Sequence, residues 1–188
     1  MNLTVLSVGG SIIAPDKVDT EFLKAFRSAI VDYLKRNPLD KLIFVTGGGA
    51  PARIWQSGYR EVREEGDTGR ILVAGGWKPG FSTDTDAVYL AKKFGGKLVV
   101  NLSNIAKVYT DDPRKNPDAK PIDSISWKDF RAMVGDEWVP GKNTPFDPIA
   151  SKLAEEGEMR VICADGRNIE NTLAILEGKE FFGTIIGA

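Results

Sequence analysis

Three apolar segments of this chain each run directly into a cluster of glycines, and this pattern restricts the fold more than any other feature. Short segments rich in leucine and β-branched residues that end at glycine are typical of buried parallel strands. The three pairs are residues 3–8 with Gly9 and Gly10, residues 41–46 with Gly47, Gly48 and Gly49, and residues 70–74 with Gly75 and Gly76. The pattern therefore predicts several strands that end in tight turns at one edge of a sheet.

Segments with helical spacing of apolar residues alternate with these strands. The first of them carries Leu23, Phe26, Ile30 and Leu34. Pro51 opens a second helix, and later helices are expected after the capping residues Ser82-Thr83-Asp84, Ser126, Asp147 and Asn168. Further strands are expected at residues 97–102, 160–164 and 181–186, whereas residues 103–125 are expected to be mostly loop. This strand–helix order predicts an α/β fold with a mostly parallel central sheet.

Composition restricts the class of protein and the chemistry. A chain of 188 residues is expected to form one domain, and Lys+Arg 25 against Asp+Glu 26 gives no charge bias towards nucleic acid or membrane. The absence of histidine excludes histidine acid–base catalysis and histidine metal ligation. Cys163, the single cysteine, lies in an apolar segment and is expected to be a buried small hydrophobe. No segment resembles a membrane span or a signal peptide, so we expect a cytoplasmic protein.

The glycine turns suggest a phosphate site. A strand that leads through glycines into a helix presents backbone N–H groups and the positive end of a helix dipole. One such turn alone is better explained as a tight connection, but three at one sheet edge favour ligand binding. None of them fits the P-loop or the dinucleotide fingerprint. Arg53, one helical turn after Gly49, is expected either to reach a phosphate held by Gly48 and Gly49 or to be a solvated surface arginine.

A second candidate position is the dipeptide Asp147-Pro148. Aspartate is a preferred N-cap and proline suits the first helical position, so Asp147 is expected to cap a helix on which Lys152 is a polar position. Helix capping is sufficient to explain this dipeptide, and it does not exclude a second role for the same carboxylate.

Taken together, these motifs resemble those of the amino acid kinase superfamily, and within it the UMP kinases of archaeal type. The resemblance covers nearly the whole chain, in the order that the family has. It is carried by residues 8–11, 47–53, 75–84, 101–113, 146–152 and 183–186. The resemblance implies a three-layer α/β/α sandwich, with an acceptor-binding half at residues 1–74 and an ATP-binding half at residues 75–188.

The resemblance also implies an activity: ATP donates its γ-phosphoryl group to UMP, giving UDP for pyrimidine nucleotide biosynthesis, with Mg²⁺ on the phosphates and no metal ligand from the protein. Three groups of residues are implied. Gly9, Gly10 and Ser11 would hold the transferred group, with Asp147 organising the centre and Lys152 towards the ATP phosphates. Gly48, Gly49 and Arg53 would hold the UMP phosphate, with Thr83 near both nucleotides. Asn104, Tyr109, Asp112 and Pro113 would line the base and ribose of ATP.

Three departures from the family pattern stand out. Lys107 stands where many relatives have glycine, and Val8 stands where many relatives outside the archaeal type have lysine. Residues 64–69 form only a short polar turn, where the family has several tens of residues more that contribute to the nucleoside pocket and the subunit interface.

Two alternatives follow. One is another small-molecule kinase of the superfamily; isopentenyl phosphate kinase activity is disfavoured because those relatives have a histidine near the second glycine turn. The other is a shortened nucleotide- or oxyanion-binding scaffold without turnover. The full-length family implies a homo-oligomer.

Overall fold

The computed structural model describes residues 3–13, 18–46, 70–75, 81–137 and 144–187. The helix expected after Pro51, the turn at Gly47–Gly49, the loop at residues 76–80 and the junction at residues 64–69 lie outside the described residues. The described strands are β1 (Leu3–Val8), β2 (Lys41–Thr46), β3 (Ile71–Gly75), β4 (Leu98–Ser103), β5 (Val108–Tyr109), β6 (Pro121–Ile122), β7 (Ser124–Ile125), β8 (Arg160–Asp165) and β9 (Thr184–Ile186). The described helices are α1 (Gly10–Ile13), α2 (Thr20–Arg36), α3 (Thr83–Phe94), α4 (Trp127–Val134), α5 (Pro148–Glu156) and α6 (Ile169–Leu176).

Seven of the described strands form one sheet, in the order β3-β2-β1-β4-β8-β9-β7. The five strands from β3 to β8 in this order are parallel to their neighbours. β9 is antiparallel to β8, and β7 is parallel to β9. The carboxyl ends of the five parallel strands therefore meet at one edge of the sheet, as the sequence predicts.

Alternating side chains of the strands pack on opposite faces of this sheet. On one face, buried residues such as Val5, Val99 and Val161 pack with apolar residues of α3, α4 and α5. On the other face, residues such as Leu6 and Val100 pack with α1, α2 and α6. Two helical layers thus enclose the sheet, and the predicted three-layer α/β/α fold with a mostly parallel sheet is confirmed.

The capping residues begin the helices where the sequence predicts. Ser82, Ser126, Asp147 and Asn168 each accept a hydrogen bond from the backbone N–H three residues later, at 3.1, 3.1, 2.8 and 2.9 Å. Such a bond satisfies one of the N–H groups that a helix leaves free at its start. Local side-chain chemistry therefore fixes where α3 to α6 begin, and three of these starts, those of α3, α5 and α6, lie at the edge where the parallel strands end.

The structure differs from the sequence prediction in three details. Residues 103–125 are mostly loop but contain β5, β6 and β7, of which β5 and β6 pair as an antiparallel hairpin. The last strand begins at Thr184 rather than at 181. Helical spacing with Ala87, Leu90 and Ala91 predicts that Phe94 lies on the apolar face of α3, but Phe94, the last residue of that helix, is 51% exposed. Among the described helices, none combines the length and apolar character needed to cross a bilayer.

Candidate active site

The candidate site lies at the edge of the sheet where β1, β4 and β8 end. α1 begins at Gly10, directly after β1, and the N-termini of α3 and α5 approach the same edge. Gly9 donates its N–H to the Leu102 carbonyl at 2.9 Å, which fixes the turn against β4. Gly10 and Ser11 are exposed, and a Cβ at Gly10 would meet no atom within 4 Å. This turn is therefore open towards solvent at the predicted phosphate position.

Two carboxylates are joined at the centre of this edge. Asp147 is 5% exposed, and its Oδ1 accepts from Ala150 N at 2.8 Å and from the Thr85 hydroxyl at 3.3 Å. Its own backbone N–H donates to Asp84 Oδ2 at 3.2 Å, while Asp84 Oδ1 accepts from the Ser7 hydroxyl at 3.2 Å. The starts of α3 and α5 are thus tied to each other and to β1 through one carboxylate.

Burial and charge perturb Asp84. The pKa of the Asp84 carboxyl is raised to about 6, mainly by desolvation and to a lesser extent by the nearby Asp147 charge. The hydrogen bonds from Asp147 N and from Ser7 act in the opposite direction, because they favour the charged form. At neutral pH, which is above this pKa, the Asp84 carboxyl is mostly ionised, so this point of the edge suits a cation or a hydrogen-bond donor.

The remaining predicted residues near this centre take different positions. Thr83 is the first residue of α3 and is partly buried, one residue before Asp84. Lys152 lies on α5 with an exposed side chain, and it forms no ion pair with any residue in the described part of the chain. Gly48, Gly49 and Arg53 lie outside the described residues, so the acceptor-phosphate prediction stays a prediction.

The predicted donor-nucleotide residues follow β4. Asn104 stands directly after β4, Tyr109 lies in β5, and Asp112 and Pro113 form the turn beyond it. Asp112 Oδ1 accepts from Arg114 Nε at 3.1 Å, and this hydrogen bond lowers the pKa of the Asp112 carboxyl. The structure thus groups these four residues on one loop and hairpin.

Lys107, the departure from the family pattern, is buried at the base of this hairpin. Its ammonium forms an ion pair with Asp123 and lies 4.6 Å from the centre of the Phe182 ring. Burial of a lysine is tolerated because both the carboxylate and the ring face compensate its lost hydration. In this chain Lys107 therefore connects the hairpin to the segment before β9.

Asp84 is the residue of this centre that the sequence analysis did not assign to the site. It was grouped with Ser82 as a capping residue, and Ser82 alone supplies the cap. The signal that would have identified it is the polar residue Ser7, which shares one face of β1 with the apolar residues Leu3 and Val5. A polar side chain in such a strand needs a partner, and Asp84 is that partner.

No group of three or more histidine, cysteine, aspartate or glutamate side chains in the described ranges is placed to hold a metal ion. Two carboxylates with a neighbouring hydroxyl fit a cation whose other ligands come from phosphate and water, which is the usual coordination of Mg²⁺. The described residues therefore fit a metal ion that is bound together with a nucleotide.

Comparisons with known proteins agree with this geometry. Residues 50–165 match the family model described as "Amino acid kinase family". A curated uridylate kinase from Methanothrix thermoacetophila is 31% identical to this chain, and the alignment covers 94% of this chain and 81% of that protein. A curated uridylate kinase from Methanospirillum hungatei is 28% identical, and the alignment covers 99% of this chain and 95% of that protein. The fold resembles the crystal structure of uridylate kinase from Archaeoglobus fulgidus, with a TM-score of 0.74 at 23% identity over 99% of this chain and 100% of that one.

The alignments also show where the chain is short. The alignment with the Methanospirillum hungatei protein runs over 228 positions although this chain has 188 residues, so at least 40 of those positions (228 against 188) are gaps in this chain. A segment that this relative has is thus absent here, which agrees with the short junction noted at residues 64–69.

Proposed function

The chain belongs to the amino acid kinase family, and we propose that the protein is a nucleoside monophosphate kinase that transfers the γ-phosphoryl group of ATP to UMP. The observation that carries the proposal is the buried Asp147 carboxylate, which accepts from the Thr85 hydroxyl while the Asp147 backbone N–H donates to Asp84, at the sheet edge where the open glycine turn follows β1. The support for UMP as acceptor is that the similar curated proteins are named uridylate kinases.

The described side chains suit phosphoryl transfer because that reaction needs positioning and charge neutralisation more than covalent participation. Gly9, Gly10 and Ser11 would contact the transferred group from the open turn after β1. Lys152 is exposed on the helix that Asp147 caps, and its ammonium is available for ATP phosphate oxygens. Asp147 would orient the cationic groups around the transferring phosphoryl, and Mg²⁺, when bound with ATP, would neutralise phosphate charge.

The two nucleotides would occupy different halves of the chain. The donor side would be residues 75–188, where Asn104, Tyr109, Asp112 and Pro113 follow β4 and face the base and ribose of ATP. The acceptor side would be residues 1–74, with Gly48, Gly49 and Arg53 on the UMP phosphate and Thr83 near both nucleotides. We also infer that the protein is cytoplasmic. The full-length family implies a homo-oligomer, and sedimentation of the purified protein tests whether this shorter chain forms one.

A coupled assay with ATP, Mg²⁺ and a panel of acceptors tests the proposal. UMP is the expected acceptor, and isopentenyl phosphate is a control that offers the same phosphate without a base. Because at least 40 positions of a relative are absent here, we expect weak discrimination between UMP and CMP. Turnover with isopentenyl phosphate but not with UMP, or no phosphoryl transfer to any acceptor, would contradict the proposed activity.

Arg53→Ala is expected to weaken UMP binding by about 100-fold while it changes ATP binding little, since charge-assisted bonds to phosphate are worth about 1.5–3 kcal/mol. Isothermal titration of each nucleotide measures this. Arg36→Ala is the matched control, because Arg36 is the last residue of α2 and pairs with Glu177 just before β2 begins, at the edge opposite to the one where the parallel strands end. Equal weakening of both nucleotides in Arg53→Ala would count against its assignment.

A further inference from the structure

A row of buried polar side chains crosses one face of the sheet, next to a row that is entirely apolar. Ser7 on β1 is in register with Asn101 on β4, Asn101 with Cys163 on β8, and Cys163 with Thr184 on β9. These four residues, here called the polar row, are between 0% and 5% exposed. The preceding row on the same face consists of Val5, Val99, Val161 and Ile186, all fully buried.

Each member of the polar row bonds to a segment that carries predicted site residues. Ser7 donates to Asp84 at 3.2 Å. Asn101 Nδ2 donates to the Pro145 carbonyl at 2.9 Å, and Cys163 Sγ lies 3.9 Å from the same oxygen. Thr184 Oγ1 accepts from Val108 N at 2.9 Å and donates to the Ile122 carbonyl at 2.5 Å, which anchors both strands of the β5–β6 hairpin.

Asn101 has the most direct connection to the candidate centre. Its partner Pro145 stands two residues before Asp147, and Phe146 between them is fully buried. The Asp147 backbone is therefore held from two directions: by Asn101 through Pro145, and by Asp84 through the Asp147 N–H. Burying an amide in a strand has a desolvation cost, and an apolar residue of similar size would avoid it. A fully satisfied buried polar contact instead fixes one geometry of the groups that it joins.

We propose that Asn101 is a positioning residue, which sets the location of the Asp147 carboxylate by holding the Pro145 carbonyl. Asn101 itself bonds to the backbone before Asp147, so it acts only through that residue. The expected effect on turnover rests on the proposed function of Asp147. The expected structural effect, that Asn101 fixes the segment at residues 145–150, does not depend on that function.

The first test is amide hydrogen exchange in Asn101→Leu, which has a similar shape but no donor. The amides of Asp147 and Ala150 should exchange at least about tenfold faster relative to those of β1 and β2, because local opening no longer breaks the Asn101 bond. The matched control is Thr172→Val. Thr172 is 1% exposed and its hydroxyl donates to the Asn168 carbonyl at 3.1 Å, on the opposite face of the sheet. This variant should accelerate exchange in α6 and leave Asp147 and Ala150 unchanged.

The second test is steady-state kinetics with ATP and UMP. Asn101→Leu should lower kcat by about 10- to 100-fold with little change in either KM, since a small misplacement of a reacting group costs up to about 100-fold. A purely structural role would instead lower activity in proportion to the unfolded fraction, as Thr172→Val would. If the wild-type protein does not phosphorylate UMP, the proposed function fails, and hydrogen exchange alone decides the role of Asn101.

Unchanged exchange at Asp147 and Ala150 in folded Asn101→Leu would overturn the proposal, as would an unchanged kcat in an active protein. If Asn101→Leu does not fold, Asn101→Thr replaces it in both assays. Threonine suits a strand, and its hydroxyl is one bond shorter than the asparagine amide, so it should also release the Pro145 carbonyl. Wild-type exchange at Asp147 and Ala150 in that variant would overturn the proposal in the same way.

Discussion

Asp147→Asn should retain the fold and lose at least about 100-fold in kcat, which is the scale seen when one preorganised electrostatic group is removed from a transition state. The amide oxygen of asparagine can still accept from Ala150 N and from the Thr85 hydroxyl, so the cap of α5 survives. Asparagine and aspartate are similar N-caps, and the expected change in the free energy of unfolding is about 0.5 kcal/mol or less. What disappears is the negative charge beside the open glycine turn.

Thermal unfolding and a coupled kinase assay on the same preparation measure the two effects separately. Asn168→Asp is the matched control, because it makes the reverse exchange at the N-cap of α6, where the side chain accepts from Asn171 N at 2.9 Å. It should leave both kcat and the melting temperature nearly unchanged. Phosphoryl transfer at the wild-type rate in Asp147→Asn would remove the proposed role of the carboxylate.

The elements of the fold could be predicted because their signals are local. The N-caps at Ser82, Ser126, Asp147 and Asn168 need only the residue three positions later, and buried strands need only a short apolar run. The direction of β9 and the pairing of β7 with it could not be predicted in this way, because both depend on contacts between residues distant in the chain, such as Val161 with Ile186 and Ser124 with Ile185.

The candidate site was predicted only where one residue carries its own signal. Asp147 can be recognised from the local sequence because a proline follows it. The role of Asp84 depends instead on two partners, Ser7 and Asp147, which are 77 and 63 residues away in the chain. Lys107 shows the same limit: its position in the sequence is unusual, but its burial against Asp123 and Phe182 follows only from the approach of distant segments. Polar residues inside apolar strands, Ser7 and Asn101 above all, are the sequence signal that such partners exist.

The second large effect concerns the pH dependence of stability at Asp84. Its carboxyl has an ordinary pKa of 3.8, and burial raises the pKa to about 6 in the folded state. The folded protein therefore binds this proton more tightly than the unfolded chain does, and ionisation of Asp84 opposes folding. Its contribution to the free energy of unfolding should decrease as pH rises from about 4 to about 6 and stay constant above. At about 1.4 kcal/mol for each pKa unit, the decrease should approach 3 kcal/mol.

Urea unfolding of the wild type and of Asp84→Asn between pH 3 and pH 8 isolates this contribution, because titrating groups that do not interact with Asp84 cancel in the difference. The wild type should lose stability relative to Asp84→Asn as pH rises to about 6, and the difference should then be level.

Asp19→Asn gives the control with the opposite sign. The hydrogen bond from Arg167 lowers the pKa of the Asp19 carboxyl, so the wild type should gain stability relative to Asp19→Asn as pH rises through the acidic range. Asparagine can still cap α2 in that control, as Asp19 does through Phe22 N. The prediction is contradicted if the difference in the free energy of unfolding between the wild type and Asp84→Asn stays constant or increases with pH. That result would show that the Asp84 carboxyl ionises as readily in the folded protein as in the unfolded chain.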